Sequence, residues 1–140
     1  MYEYRVANIR VVDGDTVDVD IDLGFGVWMK KQRIRLYGID TPESRTKDKV
    51  EKVFGLAAKK RLEEILSMSD DIVLRSVKDI RGKFGRILGD FVVYDLAGTS
   101  GDLLCAEGHA VRYLGQSKEE IREEHEKNRQ KLISEGKVVL

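Results

Sequence analysis

The chain has little that could brace it covalently: its 140 residues include one cysteine, Cys105, and one proline, Pro42. A lone cysteine cannot close an intramolecular disulfide, so the fold must stand on packing alone, and a reducing compartment is permitted. No apolar run approaches the roughly 18 residues of a membrane-spanning helix, and no charged-then-apolar leader opens at Met1. A soluble protein is expected, either intracellular or secreted and shown without its leader. Only two histidines, His109 and His125, accompany the cysteine. These three side chains cannot assemble a four-ligand zinc site, so packing or surface positions are expected for them. Nor is there an excess of either charge. The 25 basic and 25 acidic residues cancel, which argues against a polycation that grips nucleic acid with its whole surface.

What is present points to one ordinary domain, residues 1–140, whose 41% hydrophobic content is enough for a single core. Charged residues make up 36% of the chain, above the usual share of about a quarter. The basic ones gather at 30–35, 45–52, 59–61 and 75–86, and the clusters next to acidic turns are the ones expected to matter.

Period-2 alternation predicts a first strand over 2–12, with Ala7, Ile9 and Val11 on one side. A second strand sets Val17, Val19, Ile21 and Leu23 against Thr16, Asp18, Asp20 and Asp22, a wet acidic face. Gly24 and Gly26 mark a turn, and a third strand runs from Val27 towards Tyr37. Over 47–68 the period becomes helical, with Val50, Val53, Phe54, Ala57, Ala58, Leu62, Ile65 and Leu66 on one face. Strands return over 72–77 and 87–94, the second apolar on both faces and expected to be central. Ser100 is expected to cap a short helix over 102–107 that Gly108 closes. Ser117 and Glu120 form a capping box for a last helix to about Ser134, with the thin stripe Ile121, His125, Asn128 and Leu132. The tail 138–140 carries no signal. Three strands, a helix, two strands and further helices describe an α+β domain on a small barrel, the arrangement of the five-stranded OB-fold with about three helices.

The chemistry concentrates in two acidic turns. Asp13-Gly14-Asp15-Thr16 separates two alternating runs, and Asp40-Thr41-Pro42-Glu43 follows the strand that carries Arg35. Carboxylate and carbonyl oxygens on constrained loops suit a hard cation, and the planar fork of Arg35 suits a phosphate. An EF-hand reading of Asp18, Asp20 and Asp22 fails, because Leu23 and Met29 stand where that loop needs Gly and Glu. Strict alternation places Asp15 with core-facing Val17 and Val19 but Arg35 opposite core-facing Ile34 and Leu36. A bulge or bend is therefore required to bring Asp15 and Arg35 together.

With Asp13-Gly14-Asp15-Thr16, residues 35–43 and Lys83-Phe84-Gly85-Arg86 in that order, the chain resembles the staphylococcal nuclease family over roughly 9–133. The resemblance implies an OB-fold and a calcium-dependent nuclease that acts on DNA and RNA and leaves 3′-phosphate ends. It implies that Asp15, Asp40 and the carbonyl of Thr41 hold Ca2+, with Asp13 less directly involved. It further implies that Glu43 contacts the attacking water, that Arg35 and Arg86 bind the phosphate, and that Lys83 and Tyr113 contact the nucleotide. The family's tyrosine beside the second arginine is Phe84 here. A monomer without membrane partners is expected. The alternative reading is an OB-fold module that binds nucleic acid without turnover.

Overall fold

A computed structural model of the chain describes residues 2–81, 87–94, 96 and 98–140, with the side chains of residues 78–81 left aside. Five strands close into a mixed barrel in the order β1-β2-β3-β6-β5, and three helices complete an α+β fold of OB type. The barrel strands are β1 (Tyr2–Asp13), β2 (Thr16–Gly24), β3 (Val27–Leu36), β5 (Ile72–Arg81) and β6 (Ile87–Val93). All neighbours are antiparallel except β3 and β6. Two two-residue strands, β4 (Ile39–Asp40) and β7 (Val111–Arg112), pair outside the barrel. They are too short to register as a periodicity.

Closure depends on β1 serving two partners. Its first residues, Tyr2 to Arg5, pair with β5, and from Val6 onward it pairs with β2. Register shifts between Ala7 and Arg10 and between Val11 and Asp13 bend it round the corner. The bend uses Asn8 in the left-handed region (φ 52), and Lys31 on β3 adopts the same conformation. Asp20 serves both: it accepts from Asn8 Nδ2 at 2.7 Å and from the Lys31 backbone N–H at 2.8 Å. Asp20 is therefore buried rather than part of a solvated face. Asp18 is likewise engaged, by the Arg33 fork at 2.8 and 3.0 Å.

Inward residues alternate as expected. Val17, Val19 and Ile21 of β2 meet Ile34 and Leu36 of β3, Leu74 of β5, and Phe91 and Val93 of β6. Strand β6 is paired on both sides, between β3 and β5, with Ile87 and Leu88 only half-buried. Helix α1 (Lys49–Leu66) caps this core with Leu62, Ile65 and Leu66. Asp48 is its N-cap, accepting from the Val50 and Glu51 amides, so the helix starts two residues later than its pattern suggests. Each fully buried side chain of this kind contributes roughly 1.5–3 kcal/mol. Val50, assigned to the buried face by its spacing, is exposed.

Helix α2 (Ser100–Glu107) is capped by Thr99 in a reciprocal box with Asp102, not by Ser100. The Ser100 hydroxyl instead donates to Asp90 Oδ1 at 2.7 Å. Gly108 closes the helix at φ 88, as expected. Helix α3 (Lys118–Ser134) starts at Ser117, whose hydroxyl accepts from the Glu120 amide. Its inward stripe ends in Leu132, which packs with Phe54 and Val138 in a second small core, so Val138 has a packing role while Val139 and Leu140 stay exposed. None of the described helices is long and apolar enough to cross a membrane.

Candidate active site

The two acidic turns meet where β1, β3 and α1 converge. A two-residue turn at Gly14 and Asp15 joins β1 to β2, so Asp15 stands outside the strand alternation. This resolves the parity conflict without a bulge between Thr16 and Arg35, which are direct cross-strand partners. The Leu36 amide donates to the Asp15 carbonyl at 2.8 Å. The Arg35 guanidinium then folds back over the β3–β4 turn. Its Nη1 donates to the Leu36 carbonyl at 2.6 Å, and its Nη2 donates to the Ile39 carbonyl at 3.1 Å and lies 3.2 Å from Asp15 Oδ2. Held by three acceptors, the fork has a fixed orientation, and its Nε–H has no acceptor among the described residues.

Glycine sets how closely the pieces approach. A Cβ on Gly14 would lie 3.1 Å from Thr41 Oγ1 and 2.9 Å from the Ala58 Cβ, so the Asp-Gly-Asp turn rests directly on the Asp40–Glu43 loop. Gly55, in the middle of α1, is stricter: a Cβ there would lie 2.3 Å from the Glu43 carbonyl oxygen. The helix accepts a glycine of poor propensity because its backbone must seat against Glu43 and Ser44.

The carboxylates crowd one another. Burial pushes the Asp15 carboxyl above its ordinary value despite the opposing pull of Arg35 and the Thr16 hydroxyl, and Asp13 and Asp40 add to the rise. Burial, and then the charges of Asp13, Asp15, Glu51 and Asp40, push Glu43 upward as well. Two negative groups resisting ionisation beside a third acid and a loop carbonyl form a set of hard oxygens that a divalent cation would relieve. The donors therefore fit calcium chemically. Among the described residues no group of three or more His, Cys, Asp or Glu side chains forms a metal site by itself. Asp15, Asp40 and the Thr41 carbonyl would need water to complete a shell.

A groove of about 730 Å³ opens beside this cluster, lined by Arg35, Tyr37, Asp40, Arg112, Tyr113 and Leu114 among others. Tyr37 and Tyr113 are 57% and 51% exposed. The Tyr113 amide donates to the Gly38 carbonyl at 2.8 Å, which ties the two aromatic segments together. Glu43 lines a smaller adjoining pocket of about 220 Å³ against α3, and Asp40 borders both spaces.

Of the residues singled out in sequence, Arg35, Asp40 and Tyr113 share the groove, and Asp15, Thr41 and Glu43 stand next to it. Lys83 and Arg86 lie outside the described residues. Three further residues border the candidate site without having been singled out in sequence. Tyr37 and Arg112 line the groove, Tyr37 two residues after Arg35 and Arg112 next to Tyr113. His125 Nε2 lies 2.8 Å from Asp40 Oδ2, across 85 positions of sequence, a contact that no local pattern signals.

No curated protein matches the chain. A family model described as staphylococcal nuclease homologue matches residues 33–137, so the match takes in the end of β3 with Arg35 and the Asp40–Glu43 loop but leaves most of β3 and the Asp13–Asp15 turn outside it. The match spans well over half of the 140 residues, and the chain belongs to the staphylococcal nuclease family.

Proposed function

We propose that the protein is a calcium-dependent nuclease that hydrolyses phosphodiester bonds of DNA and RNA and leaves 3′-phosphate ends. The observation that carries this reading is the clamp on Arg35, held between Asp15 and the Ile39 carbonyl, which puts a fixed guanidinium between two acidic turns. Asp15, Asp40 and the Thr41 carbonyl would hold Ca2+. When bound, the ion supplies a Lewis acid that draws charge from a phosphate oxygen.

The chain's own groups do the rest. Arg35, already oriented, offers Nε–H to the oxygens on which charge develops, and Arg86 is assigned the same task. Glu43, pushed upward by burial and neighbouring acids, is a better proton acceptor than an ordinary carboxylate. Water attacks phosphorus as Glu43 takes its proton, the bond from phosphorus to the 5′ oxygen breaks, and that oxygen leaves as an alcohol after protonation from solvent. Tyr37 and Tyr113 border the groove as faces for nucleobases, and stacking of this kind contributes about 1–3 kcal/mol per base.

The test is incubation of the purified protein with single-stranded DNA, duplex DNA and RNA, in calcium and in chelator, followed by analysis of the cleaved ends. Calcium-dependent cleavage with phosphate on the 3′ end is expected. Full activity in chelator rejects the metal role, and binding without cleavage in every condition favours the non-catalytic module.

A further inference from the structure

We propose that Arg10, Arg33 and Arg45 form a second phosphate position one backbone unit away from Arg35, so that the protein grips a polynucleotide on more than the scissile phosphate. The inference rests on the nuclease reading above. Its starting point is a row across the outside of the barrel, Arg10 of β1, Asp18 of β2 and Arg33 of β3, in which Asp18 is the direct cross-strand partner of both arginines. Arg33 spends its fork on Asp18, with bonds of 2.8 and 3.0 Å. Arg10 and Arg45 both act electrostatically on that same carboxylate, yet neither has an ion-pair partner within 4 Å among the described residues. One carboxylate thus faces three guanidinium groups, and two positive charges are left over.

The spare charge lies where a substrate strand would pass. Arg33 and Arg35 occupy the outward side of β3, alternating with buried Ile34 and Leu36. Two residues along a strand span about 7 Å, comparable to the step between successive phosphates of one nucleic-acid strand. Arg45 follows Glu43 by two residues, so the segments that supply Arg35 and Glu43 to the candidate active site also supply Arg33 and Arg45 to this cluster. Arg10 and Arg45 are exposed. Arginine offers planar paired donors suited to phosphate oxygens, and a charge-assisted contact of that kind is lost when the fork is removed.

The experiment compares the wild-type protein with Arg10→Ser/Arg45→Ser and with Arg45→Lys. Binding of a fluorescent single-stranded oligonucleotide is measured in chelator over a range of salt. Hydrolysis of that oligonucleotide and of a chromogenic single phosphodiester is measured in calcium. The double variant is expected to bind the oligonucleotide about tenfold more weakly, with a salt slope reduced by about 1. Its KM for the polymer should rise, its rate on the single phosphodiester should be unchanged, and Arg45→Lys should keep most of the slope. Unchanged oligonucleotide affinity and salt slope would overturn the proposal, as would an equal loss on both substrates. Should the wild-type protein cleave neither substrate, the nuclease reading fails, and the binding measurements in chelator still decide the role of the arginines.

Discussion

His125 Nε2 sits 2.8 Å from Asp40 Oδ2, so helix α3, whose inward stripe is thin, reaches back to orient one of the two acids expected to hold calcium. A side chain that fixes a ligating carboxylate changes metal affinity without touching the ion, typically by 10–100-fold. His125→Leu should therefore weaken calcium binding by at least about tenfold in titration calorimetry, with helix content by circular dichroism retained. Unchanged affinity would make the contact a packing detail.

Gly55 is the narrowest tolerance near Glu43. Its missing Cβ would fall 2.3 Å from the Glu43 carbonyl oxygen, a backbone atom that cannot step aside alone. In an exposed helix Gly→Ala is stabilising, but here it should cost about 1–3 kcal/mol by overpacking. Urea titration gives the stability, and the same variant should lose nuclease rate because the Glu43 loop is displaced. A gain in stability would show that α1 can shift freely.

His109 links stability to mild acid. Burial holds its imidazole below the ordinary value of 6.5, only partly offset by Glu107, and its buried Nδ1 has no hydrogen-bond partner among the described residues. The unfolded chain takes up a proton near 6.5 while the folded one resists until lower pH, so the unfolded state binds more protons in between. Stability should be full above 6.5 and fall as pH drops from there through the folded value. The melting temperature of His109→Asn should be flatter across that window. A wild-type melting temperature that is level from pH 7 to pH 5 would remove this account of His109.

Phe25 occupies the tip of the β2–β3 hairpin at φ 57, fully exposed, beside Gly26 at φ 77. Two successive positive φ values are the setting for Asn-Gly, and a bulky residue at the first position is strained with no burial in return. Phe25→Asn should raise stability by roughly 0.5–1 kcal/mol in denaturant titration. A loss would mean that the ring is held by contacts beyond the hairpin.

Much of the barrel was legible because its signal is local. Val17, Val19 and Ile21 alternate with acids, Ile34 and Leu36 with arginines, and the α1 stripe switches period where the helix lies. Features set by distant partners were not legible. Asp20 reads as solvated because nothing nearby reveals that Asn8 and Lys31, in left-handed conformations, turn their donors to it. Ser100 reads as a cap until Asp90 claims its hydroxyl, which leaves the role to Thr99. Val138 gains meaning only from Phe54 and Leu132. At the site, Asp15 and Arg35 belong to opposite parities until the turn at Gly14 and Asp15 takes Asp15 off the strand. The acids and Arg35 were singled out by their motifs, whereas the contact of His125 with Asp40 required the fold.

Glu43, seated against α1 at Gly55 and close enough to Asp15 to feel its charge, is expected to handle the proton of the attacking water. The most direct measurement is the single-turnover cleavage of a bound oligonucleotide in calcium by the wild-type protein and by Glu43→Gln, with oligonucleotide affinity measured in parallel. The account predicts a rate lower by on the order of 100-fold or more at unchanged affinity. Equal cleavage rates for the two proteins would contradict it.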